Sequence, residues 1–180
     1  MKTMFRLPLV VLAALLLFVS ASAQAQQTPR YKDVVVENPN AEADMKVVSD
    51  FINALVSGDL AKARSLASPT YIGRGPAATD SANVDKVIQN WQGNHKTQSD
   101  RKVTFVTQTF KVLSGALKGN WVSLWGDYTF TQAGKTIKFP FQYTAGVADG
   151  KILGDRIYYD VLSIYTQLGF KVTPPETSKK

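Results

Sequence analysis

Residues 136–169 read TIKFPFQYTAGVADGKILGDRIYYDVLSIYTQLG, and the fold can be argued outward from them. Ile137, Phe139, Phe141 and Tyr143 recur at every second position, which places them on one face of a strand running from Thr136 to Ala148. Asp149-Gly150 then supplies two residues that tolerate positive φ, as a type I′ hairpin turn requires. A further strand, Ile152 to Tyr159, must return antiparallel, with Tyr158 and Tyr159 on opposite faces. Asp160 suits the N-cap of a last helix, Val161 to Leu168, and Gly169 suits its stop.

Upstream, Val103 to Leu113 and Trp121 to Thr131 are rich in Val, Thr and aromatics, and turn-like residues connect them. Four strands in succession with short connections predict an antiparallel meander. Before residue 102 the period is helical. Met45, Val48, Ile52 and Leu55, with Phe51 beside them, form one apolar stripe over Ala41 to Ser57. Glu42 and Asp44 sit at its positive end, and Gly58 follows as a stop. Asp59 is placed to cap a short helix, Leu60 to Ala67, which Pro69 ends. Ser68 to Asn83 reads as a loop bearing Gly73, Gly75 and Pro76. A third helix is predicted from about Ala82 to Gln92, with Val84, Val87, Ile88 and Trp91 on one face and Gly93-Asn94 closing it. Helices first and a meander after them define an α+β class. The sheet would curve over the N-terminal helices as a cone around an apolar pocket.

The first 23 residues read as a signal peptide. Lys2 and Arg6 precede an apolar run of 13 residues, Leu7 to Val19, and Ala21 and Ala23 give a small-x-small cleavage pattern. Thirteen residues fall short of the ~20 that span a bilayer. Export to the periplasm or outside the cell is expected, with no membrane attachment after cleavage. Residues 24–40, polar and carrying Pro29 and Pro39, read as a linker or flexible arm, to which Val34-Val35-Val36 can add an edge contact. The domain is expected over 41–170 and a flexible tail over 171–180.

Composition removes several kinds of chemistry. The chain has 180 residues, no Cys and one His. Disulfide scaffolds, cysteine nucleophiles and iron–sulfur or structural zinc sites are excluded. Without Lys2 and Arg6, 19 basic residues face 14 acidic ones, a balance of +5 with no basic run, so no nucleic-acid partner is expected.

The ending Asp149-Gly150-Lys151-Ile152, Tyr158-Tyr159-Asp160 and Gln167-Leu168-Gly169, with the helices and meander before it, resembles the SnoaL-like branch of the nuclear transport factor 2-like superfamily. The resemblance covers about residues 44–170. It implies a cone-shaped α+β barrel, of the cystatin/SnoaL-like kind, with one deep apolar cavity. Members include polyketide cyclases, ketosteroid isomerases, epoxide hydrolases and dehydratases, and many others act as binding or accessory domains. Fold alone does not choose among these.

Acid–base chemistry in such a cavity needs an inward carboxylate. Asp127, in Trp125-Gly126-Asp127-Tyr128, is similar in position to an epoxide-hydrolase Asp. The family's Arg two residues earlier is Trp125 here, and its second Asp falls near Ile157. Asp127 is the catalytic candidate, against a solvent-facing Asp paired with Lys138 or Lys111. Asp160 reads as an N-cap. Asp155 can face either side of its strand, with Arg156 and Lys151 as surface partners, and is not chosen. Tyr71, Trp91, Trp125, Phe141, Tyr143 and Tyr159 are the candidates for lining a ligand pocket. Arg74 would stand on its rim, and His95 is expected to be exposed and inert. The glycines around Arg74 lack phosphate-loop spacing. No metal or cofactor is implied. The expected function is binding of a small apolar or amphipathic ligand. The alternatives are a carboxylate-dependent cyclase, isomerase or hydratase, and a homodimerising interaction module built on the second-strand aromatics.

Overall fold

The computed structural model describes residues 30–173. The expected signal peptide and residues 174–180 of the expected tail lie outside the described residues. Of the first of two compact units only Arg30–Val34 is described; it holds a helical turn, Tyr31–Val34, with an exposed Arg30–Asp33 ion pair at 2.9 Å. The remainder begins at β1 (Val35–Val36), earlier than the sequence suggests, because Val35 and Val36 pair with Val112 and Lys111. Asn38 is 2% exposed; its amide donates to Asp44 and to Thr109, each at 2.8 Å. The last part of the expected linker is therefore part of the domain.

Helix α1 (Ala41–Ser57) buries Val48, Phe51, Ile52 and Leu55 of the stripe its spacing predicts, and Met45 only in part. It ends at Gly58 with φ +95°. Its terminal carbonyls are capped from elsewhere in the chain. His95 Nε2 donates to Leu55 O at 2.8 Å, and Arg101 Nε donates to Val56 O at 3.2 Å. This corrects the expectation for His95, which is half-buried and satisfies an otherwise orphaned helix end. Asp59 caps α2 (Leu60–Leu66) through the Lys62 amide at 3.0 Å.

The segment expected to be a loop is instead a strand, β2 (Ala67–Arg74), followed by the short β3 (Ala82–Asn83). Pro69 is tolerated because it is exposed and lies where the pairing of β2 is interrupted, between Ala67 and Ile72. Helix α3 (Val84–Thr97) also runs on through Gly93 to Thr97. The meander follows as β4 (Ser99–Val112), β5 (Gly119–Gln132), β6 (Lys135–Ala148) and β7 (Lys151–Tyr159), and α4 (Val161–Leu168) closes the domain. Asp149 and Gly150 have φ of 51° and 68°, as the type I′ turn demands.

Among the described residues seven strands form one sheet in the order β1-β4-β5-β6-β7-β2-β3. All neighbours are antiparallel except β2 and β7, which run parallel. The sheet is thus mixed, curved and open: the expected meander β4 to β7 is antiparallel, and β2 adds the parallel pairing. Its concave face carries Leu124, Tyr128 and Phe130 from β5 and Ile137, Phe139, Phe141 and Tyr143 from β6, packed with the buried stripe of α1. Helix α4 is held where β7 stops pairing. The Gln167 side-chain amide accepts from Lys138 N and donates to Lys138 O, both at 3.1 Å, taking the place of a neighbouring strand residue.

Candidate functional site

Between the concave sheet and helices α1 and α3 lies a cavity of about 510 Å³. Its walls are apolar and aromatic. Phe51 and Leu55 come from α1, Trp91 from α3, Tyr128 from β5, Phe139 and Phe141 from β6, and Tyr159 from β7. The rings meet one another: Trp91 packs on the edge of Tyr128 at 5.9 Å between centroids, and Phe139 lies 5.3 Å from Tyr159.

Two carboxylates line this cavity, Asp80 exposed at the edge and Asp155 buried within. Asp155, only 7% exposed, projects from β7. The hydroxyl of Tyr143 on β6 donates to Asp155 Oδ2 at 2.7 Å, and the hydroxyl of Tyr71 on β2 donates to the same oxygen. Both phenols are nearly fully buried. Three adjacent strands therefore converge on one atom. The parallel pairing of β2 with β7 sets Gly73 opposite Asp155. Gly73 must lack a side chain there: a Cβ would stand 2.5 Å from Tyr71 Oη and 3.2 Å from Asp155 Oδ1.

Burial pushes the Asp155 carboxyl up to about 6. Hydrogen bonds from Tyr71, Tyr143 and the Arg74 backbone, and then the Arg74 charge, pull the other way without offsetting the desolvation. Both phenols are pushed well above their ordinary range by burial and by the adjacent carboxylate. A carboxylate poised near 6 in an apolar enclosure can accept a proton or a hydrogen bond near neutral pH.

The sequence candidates divide cleanly by position. Tyr71, Trp91, Phe141, Tyr143 and Tyr159 line the cavity. Trp125 does not. It lies on the opposite, convex face, 45% exposed. Asp127 is on that same outer face, ion-paired with Lys138 at 2.9 Å and part exposed, so it does not supply the inward carboxylate expected of it. Asp160 accepts from Ser163 N at 2.8 Å as the cap of α4. Arg74 stands exposed at the cavity's edge. The cavity acid is Asp155, which strand periodicity alone does not single out. Among the described residues no group of three or more His, Asp or Glu is placed to hold a metal ion.

No protein-family model matches the chain, and no curated protein matches it by sequence. Solved structures do match. An LEH-like epoxide hydrolase from M. tuberculosis superposes with a TM-score of 0.56 at 16% identity, over 72% of this chain and 92% of that one. A candidate polyketide cyclase from Xanthomonas campestris pv. campestris gives 0.60 at 13% identity, over 72% and 99%. An NTF2-like protein from Burkholderia thailandensis gives 0.56 at 17% identity, over 69% and 96%. The chain thus has the fold of these structures, shared by an NTF2-like protein and a candidate polyketide cyclase. At these identities the likeness concerns the fold.

Proposed function

We propose that the protein is exported and binds a small apolar or amphipathic molecule in the concave cavity, with Asp155, Tyr71 and Tyr143 as its polar contact. The observation that carries this reading is a roomy aromatic enclosure built around a single buried carboxylate. Such an arrangement combines apolar area for affinity with one polar group for orientation. The test is native mass spectrometry of the mature protein purified from its own host, followed by mild denaturation to release bound compounds. A co-purifying apolar compound supports the reading, and a protein that is empty and takes up none of a panel of apolar probes overturns it.

A second reading is favoured by the raised Asp155 carboxyl. Here Asp155 acts as the base of a carboxylate-dependent cyclase, isomerase or hydratase, a role the sequence alone assigns to Asp127. Its carboxylate would take a proton from the bound substrate, while Tyr71 and Tyr143 hold it in place. Turnover of the identified ligand, lost in Asp155→Asn and kept in Asp127→Asn, is the supporting result.

The convex face offers a separate opportunity for pairing of two copies. Val106, Trp125, Gln142 and Tyr158 form one cross-strand row there, with Val106, Trp125 and Tyr158 exposed.

A further inference from the structure

The chemistry around Asp155 narrows the class of ligand. Its side-chain partners are two neutral phenols. Among the described residues no lysine or arginine forms an ion pair with it. Arg74, next to Gly73 on β2, reaches the carboxylate first through its backbone N–H, and its charge is the weakest influence on that group. The Arg74 side chain is exposed.

A carboxylate offers about four acceptor positions, and the two phenols use two of them, both on Oδ2. The phenol protons are already committed, so a ligand entering here meets an acceptor rather than free donors. The nearby aromatic surface has the same preference. Phe51 lies 6.2 Å from Tyr71 and 6.5 Å from Tyr143 between ring centroids, and ring faces attract cations. A buried carboxylate without a counter-ion is costly, and a bound cation that donates to it removes much of that cost. An anionic head group would meet repulsion at the same place.

We propose that the cavity takes a protonated amine, a small molecule with an apolar body and an ammonium group that donates a hydrogen bond to Asp155. This rests on the binding reading above and names the ligand class for that site.

Binding then strengthens as pH rises through about 6, where Asp155 ionises. Tyr71, Tyr143 and Tyr159 are all pushed away from that range, and Tyr128 is pushed up to about 12. Arg74 and Lys86 are the cations facing the cavity, and Asp80 is the other carboxylate. Asp80→Asn separates its part from that of Asp155.

The experiment is calorimetric titration of the full chain with three probes of similar body: N,N-dimethylbenzylamine as the cation, N,N-dimethylbenzamide as the neutral form and phenylacetate as the anion. The cation should bind about tenfold or more tighter than the neutral amide above the Asp155 transition. That preference should vanish below the transition and in Asp155→Asn, and survive in Asp80→Asn. The pH series on the unaltered protein carries the test if Asp155→Asn does not fold. Equal binding of cation and neutral probe overturns the amine inference and leaves the cavity reading standing. So does a preference lost with Asp80 alone. Preference for phenylacetate overturns it in favour of Arg74 and Lys86. Binding of none of the three overturns the cavity reading, and the amine inference with it.

Discussion

Tyr143 donates its hydroxyl to Asp155 Oδ2 at 2.7 Å across the hairpin that joins β6 to β7. In the ladder Asp155 is opposite Ala145 and Tyr143 is opposite Ile157, so the two are diagonal neighbours on the concave face. The relationship is local to one hairpin, yet it completes a site whose other donor, Tyr71, comes from β2, 84 positions away in sequence.

Removing the Tyr143 hydroxyl leaves the buried carboxylate with one phenol donor. Tyr143→Phe should lower stability by about 1–3 kcal/mol at neutral pH. The loss should shrink in acid, where Asp155 carries its proton. Denaturant melts at the two pH values check both statements, and equal losses at both would contradict them.

The raised carboxyl of Asp155 makes stability depend on pH in a definite direction. Its folded value, about 6, exceeds the ordinary 3.8. The folded state therefore holds the proton more tightly, and this contribution is full below about 4 and lost as pH rises through about 6. Unfolding free energy of the natural chain relative to Asp155→Asn should fall by on the order of 2–3 kcal/mol across that window. A flat difference would show that Asp155 is not desolvated.

Two glycines should respond to alanine with opposite signs. Gly73→Ala puts a methyl against the Tyr71 hydroxyl and the Asp155 carboxylate. It should cost roughly 1–3 kcal/mol and weaken ligand binding. Gly93 sits exposed inside α3, and a methyl added there would find nothing within 4 Å. Gly93→Ala should gain about 0.5–1 kcal/mol. Shifts in denaturation midpoint decide both.

Asp127→Asn removes one partner of a part-exposed ion pair on the outer face. Its stability should stay within about 0.5 kcal/mol of the natural chain, with ligand binding unchanged. Loss of binding in this variant would return Asp127 to the site.

Should the convex face pair two copies, sedimentation of Trp125→Lys gives the answer. A dimer of the natural chain that becomes a monomer in the variant, with ligand affinity kept, is the expected pattern. A natural chain that stays monomeric at high concentration would remove this interface.

Much of the fold is legible in the sequence because its signals are local. The alternation on β6, the Asp149-Gly150 turn and the caps at Asp59 and Asp160 each need only a few neighbouring residues. Two features need distant partners. Ser68 to Asn83 looks like a loop because Pro69, Gly73, Gly75 and Pro76 break its pattern, and its first part becomes a strand only by lying parallel to β7. A Cβ at Gly154 would stand 2.7 Å from Ile72 O, so that close pairing depends on glycine in the opposite strand as well. Asp155 is hidden by a bulge. Counting by twos from buried Ile152 sends Asp155 outward. The register instead slips between the Val147–Ile152 and Gly146–Gly154 pairs, Leu153 is exposed, and Asp155 turns inward with Ile157 and Tyr159. Asp127 misleads for the opposite reason: β5 keeps its alternation, and Trp125 and Asp127 share the outer face. Asp127 therefore points away from the cavity, towards Lys138.

The most direct test of the central claim, that Asp155 is a poised carboxylate inside the cavity, is a carbon-13 NMR titration of the aspartate side-chain carboxyls. One aspartate should titrate near pH 6, vanish from the spectrum of Asp155→Asn and shift when a cavity ligand is added. A spectrum in which Asp155 titrates near 4 and ignores the ligand would contradict the account.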